Sequence, residues 1–168
     1  MGEGKHSGEL ELKSDLAHER REWRVQRVGW LLLAIFCASA LAGLLGPGPL
    51  SKQHAGKVGS ELYLEYDRYI RKQSPYGLKV FSRPDATRDQ FTITLNRAFI
   101  ENVEVKGIQP EPTDTTAAAN EYQFHFKRSG EGEQLVVFHF EPDSFGRIET
   151  SVKLDDKASQ MIKQFIWP

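Results

Sequence analysis

One cysteine, Cys37, is the only thiol in this chain of 168 residues. With a lone thiol set inside an apolar run, no intramolecular disulfide is available, and a folded domain must rest on its hydrophobic core alone. The chain also lacks a prevailing charge: 22 Lys and Arg meet 23 Asp and Glu, a formal net charge of −1. No basic stripe interleaved with aromatics favours nucleic acid, and no acidic tail is present. Missing too are a G-x-S-x-G elbow, an H-E-x-x-H pair, a phosphate loop and a dinucleotide fingerprint. These absences nominate no catalytic and no cofactor-binding residue. The expectation is a protein that is not an enzyme and takes no cofactor. No Asn-x-Ser/Thr sequon occurs, which is compatible with a bacterial envelope.

What the chain does have is an apolar run, Val28–Leu45, of eighteen uncharged residues. As a helix, with help from its flanks, such a run just crosses a hydrocarbon core of about 30 Å. Arg20, Arg21, Arg24 and Arg27 precede it, and only Lys52 and Lys57 follow closely, so the Lys/Arg bias predicts a cytoplasmic N-terminus and an outer C-terminal domain. A cleaved signal has a shorter apolar core, starts earlier and ends in small residues beyond the run. Here the small residues lie inside the run, and Phe36 stands where a lipobox before Cys37 needs a small side chain. The span therefore reads as a retained signal-anchor of a single-pass inner-membrane protein, with a periplasmic or extracytoplasmic domain.

Residues 1–9 read as unstructured, and Leu10 to Arg27 as a partly amphipathic helix, either interfacial or a straight extension of the span. Trp23 and Trp30 bracket the entry to the span, where indoles favour the headgroup level, and Arg20, Arg21, Arg24 and Arg27 read as anchors against anionic lipid. Ala34, Ala38, Ala42 and Gly46 recur at spacing four and form a small-residue stripe that permits close helix packing. Its partner would be another integral membrane protein or a second copy of the chain. Residues 46–60, rich in Gly and Pro, read as a linker that reaches at most about 50 Å.

From Glu61 the apolar period becomes two. Segments at 62–67, 78–81, 91–95, 103–105, 122–126, 135–140, 148–154 and 161–167 alternate and are separated by turn residues. A helical turn is expected at 96–102. Seven or eight short strands with polar outer faces predict an antiparallel β-sandwich of immunoglobulin-like type over 61–168, with an open β-barrel as the alternative. Pairing Phe124 with Phe140 and Phe126 with Phe138 gives a hairpin closed by Glu131-Gly132-Glu133. That register would set His125 opposite His139, a weak candidate for metal, since zinc asks for three or four ligands. No metal is expected. Glu65 and Asp67 share a strand face and read as surface charge beside Arg68, Arg71 and Lys72. The terminal strand, Met161–Trp167, reads as an edge strand, and Phe165 and Trp167 are candidates for contact with an added strand.

Several segments carry a resemblance. The basic segment and span run into Gly-Pro-Gly-Pro-Leu-Ser51; then come Leu64-Glu65-Tyr66-Asp67-Arg68-Tyr69, Ile108-Gln109-Pro110-Glu111-Pro112, and Ser159-Gln160 with Gln164-Phe165-Ile166-Trp167-Pro168. Over residues 20–168 this resembles small bacterial single-pass membrane proteins with an extracytoplasmic β-domain, similar in turn to companions of multi-pass YetF-like inner-membrane proteins. The resemblance implies a membrane partner. It transfers no functional residue, because its motifs are turn and core patterns. An accessory or scaffold subunit is the expectation, and an envelope sensor of a small ligand or of pH the alternative.

Overall fold

The computed structural model describes residues 16–44 and 48–168, with side chains from Arg21 onward. Leu10–Asp15 and Gly46 lie outside them, as does the side chain of Arg20. Two compact units divide at Ala38 and Ser39.

In the first unit lies most of helix α1 (Leu16–Ala42), 27 residues without interruption. The expected N-terminal helix and the span are thus one helix. No Gly-Pro break or cap separates Arg27 from Val28, and apolar residues continue the helical turn directly. An 18-residue window within Arg21–Ala42 has a mean hydropathy of 1.7, and this is a helix long and apolar enough to cross a membrane. The helix stops at Ala42, three residues before the expected end at Leu45. Gly43 takes φ +89°, its N–H donates to the Ala40 carbonyl at 3.0 Å, and the Leu44 N–H reaches the Ser39 carbonyl at 3.1 Å. That paired bonding is the Schellman closure, which glycine alone adopts without strain.

The second unit is all β apart from one helical turn. Its elements are β1 (Lys52–Ala55), β2 (Leu62–Asp67), β3 (Tyr69–Arg71), β4 (Tyr76–Ser82), β5 (Gln90–Asn96), α2 (Arg97–Ile100), β6 (Val103–Gln109), β7 (Asp114–Ala117), β8 (Glu121–Lys127), β9 (Gln134–Pro142), β10 (Gly146–Leu154) and β11 (Ala158–Trp167). They form two sheets, β1-β2-β4-β9-β6 and β3-β11-β10-β5-β8-β7. Neither closes on itself, so the sandwich reading holds and the barrel does not. Every pairing is antiparallel except β3 with β11. Each segment read from alternation is a strand. β1, β3 and β7 are additional, being too short to alternate visibly, and β1 occupies part of the expected linker.

The hairpin read between β8 and β9 is not formed. β8 pairs with β5 and β7, while β9 pairs with β4 and β6. The two strands lie in opposite sheets, and their phenylalanines meet face to face across the interior. Phe124 and Phe126 pack edge-on against Phe138, with ring centroids 5.4 and 6.3 Å apart. Phe99 of α2 closes over Phe140 at 5.0 Å. Alternation says which side chains face inward; it does not say whether the inward faces belong to one sheet or two. Asp155 and Asp156, with φ 47° and 55°, make the tight turn that joins β10 to β11. Short polar side chains tolerate this left-handed conformation best after glycine.

Candidate functional site at the tether end

The sandwich has two ends. The chain enters at Lys52 and leaves after Trp167 at one of them, here the tether end. The 56–61, 83–89, 128–133 and 155–157 loops form the distal end.

Three of the motifs quoted above converge at the tether end. Past Gly43 the chain doubles back: the Leu50 N–H donates to the Ala42 carbonyl at 3.0 Å. A side chain on Gly43 would put its Cβ 2.6 Å from the Gly48 Cα, so both positions are confined to glycine. Ser51 is fully buried. Its hydroxyl donates to the Tyr69 carbonyl at 2.9 Å and accepts the Tyr69 N–H at 3.0 Å, while its carbonyl takes the Arg68 N–H at 2.7 Å. The C-terminal motif completes the knot. Gln164 Nε2 donates to the Asp67 carbonyl at 2.8 Å, the Phe165 N–H to Arg68 at 2.8 Å, and the Trp167 indole to the Leu44 carbonyl at 3.0 Å. Backbone groups that leave the sheets here find partners in side chains, as buried polar groups must.

Trp167 and Phe165 are therefore not a free edge. β3 lies against Phe165–Trp167 in parallel register, Tyr69 beside Phe165 and Arg71 beside Trp167. The reason is the crossing of the chain from β2 to β3, which carries it from one sheet to the other. The outermost strands are instead β1, β3, β6 and β7, and all four residues of β7 are exposed.

The outer face beside Trp167 alternates cations and rings. Arg147 opposes Phe165, and Lys163 opposes Glu149, while Ile148, Ile162, Gln164 and Ile166 point into the core. The Arg68 guanidinium lies 5.6 Å over the Tyr69 ring, and Phe165 and Trp167 meet edge-on at 4.8 Å. Arg68, Arg147, Lys163 and Gln164 line a cleft of about 250 Å³. Gln164, 2 % exposed, has a buried Oε1 with no partner. Sequence reasoning missed this cluster, because Arg147 lies 79 residues from Arg68 and only the crossover brings them together.

Asp67, on the opposite sheet near its crossover, has its carboxyl raised above the ordinary range by burial, with Lys52 and the Ser51 hydroxyl opposing the shift. Its strand neighbour Glu65 pairs with Lys79 at 3.4 Å. Glu65 is thus paired near the surface, while Asp67 is half-buried with its Oδ1 unpartnered among the described residues.

The two histidines are apart. His125, on the outer face of β8, bonds Thr92 Oγ1 at 3.0 Å and Thr116 Oγ1 at 3.4 Å. His139 lies on β9 of the other sheet, between Gly77 and Gly107. They share no face, because the hairpin that would have joined them does not exist. Among the described residues, no three His, Cys, Asp or Glu side chains cluster for a metal.

On α1 the apolar side chains point outward: Leu31 is 61 %, Leu32 62 % and Phe36 59 % exposed. The Arg27 guanidinium lies 3.4 Å over the Trp23 ring, joining two of the expected interface anchors one turn apart. Ala34 and Ala38 are exposed and Ala42 half-buried. No protein-family model matches the chain, and no curated protein matches it.

Proposed function

We propose that the protein is a single-pass protein of the bacterial inner membrane, with its N-terminus cytoplasmic and its sandwich outside, and that it acts by binding. Its role is that of a non-enzymatic accessory or scaffold subunit. The observation that carries this reading is α1, whose apolar side chains are uncovered along residues 28–38. Such a surface is stable only in lipid or against other helices. The arginine excess before the span supports the orientation. Ala34 and Ala38 give the span a face on which a second helix approaches closely, from a multi-pass protein of the kind the resemblance implies or from a second copy. Outside, the exposed edge strand β7 offers unpaired backbone groups for a partner strand.

The test is purification of the tagged full-length protein after cross-linking in cells, beside an Ala34→Leu/Ala38→Leu variant. A membrane partner recovered in fixed ratio and lost in the variant supports an accessory subunit. Recovery of the protein alone, unchanged in the variant, rules that role out. Accessibility of an N-terminal tag from the periplasmic side would overturn the orientation.

A further inference from the structure

Four strands end the two sheets, and three of them are guarded. β1 opens with the exposed Lys52. β3 has three residues and ends in the exposed Arg71, with Lys72 next in the chain. β6 is interrupted by a bulge between Val105 and Gly107, where Lys106 pairs with Glu104 at 2.6 Å and with Glu141 at 3.4 Å. Charges, shortness and bulges of this kind keep a sheet edge from pairing with another chain. β7, Asp114-Thr115-Thr116-Ala117, has no lysine, proline or glycine inside it, and its one charge stands at its start.

The bonds to β8 show which backbone groups of β7 stay open. β7 keeps one register along β8, from Asp114 beside His125 to Ala117 beside Tyr122. At the next place in that register the Ala118 N–H donates to the Glu121 carbonyl at 2.8 Å. An antiparallel ladder bonds every second residue. Asp114 and Thr116 therefore turn their N–H and carbonyl toward β8, and Thr115 and Ala117 turn theirs away. No described residue bonds these outward groups. The Thr113 N–H is taken by the His125 carbonyl at 2.7 Å, so the open stretch begins at Thr115.

That stretch is complementary to itself. A second β7, laid antiparallel about a two-fold axis through Thr116, sets Thr115 of each copy against Ala117 of the other. Every outward group of both copies is then paired. Thr116 faces Thr116 of the second copy, a favourable cross-strand pair, and Asp114 falls beside Ala118, so no like charges are directly opposed. The neighbouring symmetric registers would use Thr113, whose N–H is taken, or Ala119, which lies beyond the strand.

We propose that β7 is the surface through which two copies of this chain join, their β7 sheets fusing edge to edge into one. So short a pairing buries far less than the about 1,000 Å² of a stable interface. Association therefore depends on confining both copies in one bilayer, which raises their effective concentration, and the inference rests on the spanning reading given above. It names a second copy as the strand that β7 takes.

The test is disulfide trapping in membranes of cells that express the full-length protein, in a Cys37→Ser background. Facing residues at a non-hydrogen-bonded place lie about 4.5 Å apart at Cα, within the span of a disulfide. On mild oxidation Thr116→Cys should give a linked dimer, several-fold more than Val58→Cys, which is 82 % exposed at the distal end. Co-expressed Thr115→Cys and Ala117→Cys chains should link to each other several-fold more than to their own kind. Adding Ala117→Pro removes an outward N–H, leaves the ladder to β8 intact, and should abolish the Thr116→Cys dimer. Equal melting temperatures in detergent show that this variant keeps its fold. Trapping at 116 no greater than at 58, or unchanged by Ala117→Pro, overturns the pairing. Linkage of Thr116→Cys to a different protein overturns the second copy as occupant. The mixed chains decide without the proline: equal linkage of mixed and like chains overturns the two-fold register. All these outcomes leave the span standing while the protein resists extraction from the membranes by alkaline carbonate. Extraction overturns the span, and the pairing with it.

Discussion

The tether end and the distal end of the sandwich solve one problem, the closing of two sheets, by different chemistry. At the distal end short loops carry their own partners. Gln134 bonds both the N–H and the carbonyl of Ser129, Asp85 holds Thr87, and Arg83 and Lys157 pair with carboxylates. At the tether end segments far apart in sequence are knotted by Ser51, Gln164 and Trp167, whose bonds run between strands and not within one loop. One end is closed by bonds within each loop, the other by bonds between segments that only the fold brings together.

Substitutions can break this contrast. Phe138, which touches the rings of Phe124, Phe126 and Phe140, belongs to the interior both ends share, and Phe138→Ala sets the scale. It should cost about 3–5 kcal/mol in chemical unfolding of the full-length protein in detergent. A buried serine at each end then gives a matched pair. Ser51→Ala strips Tyr69 of a donor and an acceptor and should cost about 2 kcal/mol. Ser82, also fully buried, donates one long bond of 3.3 Å to the Gln134 carbonyl, and Ser82→Ala should cost under about 1 kcal/mol. Equal losses at the two positions would remove the distinction.

Two aspartates sharpen it further by titrating in opposite senses. Asp85 is drawn down to about 2, first by the Thr87 N–H, then by the Thr87 hydroxyl and Lys157. Its folded-state pKa lies below its unfolded value, so its contribution is complete above about pH 4 and disappears as pH falls toward 2. Asp85→Asn should lower the melting temperature at pH 7, with a deficit that closes on acidification through that window. Burial shifts the Asp67 carboxyl the other way. Its ionised form is penalised in the folded state, and the penalty vanishes as pH falls through the raised value toward the ordinary one. Asp67→Asn should raise the melting temperature at pH 7, and its advantage should shrink as acid is added. The smallest effect belongs to the exposed pairs: Arg83→Ala or Lys157→Ala should change stability by less than about 0.5 kcal/mol, and less still in high salt.

Most of the sandwich was legible in sequence because a half-buried strand must alternate: Leu62-Tyr63-Leu64, Phe91-Thr92-Ile93 and Ile148-Glu149-Thr150 each announce a face. The strands that were missed, β1, β3 and β7, are three or four residues long, and their pairing is decided by the neighbour and not by their own pattern. The early stop of α1 was hidden in another way. Leu44 and Leu45 prolong the apolar run past Gly43, and hydropathy does not register a left-handed glycine. The candidate site was least legible. Arg68 and Arg147 are ordinary surface arginines until β3 is laid against β11, and Phe165 and Trp167 looked like a free edge for the same reason.

By itself, then, the sequence determined an apolar helix with a basic entry, a change of period from helical to alternating at Glu61, and the inward set of phenylalanines, since each follows from local spacing and from the free energy of moving side chains out of water. Which strands pair, whether Phe126 meets Phe138 beside it or across the core, where α1 ends, and which arginines gather beside β11 were decided only in the tertiary structure. Those outcomes depend on contacts between residues tens of positions apart, and alternation fixes the face of a strand without naming its neighbour.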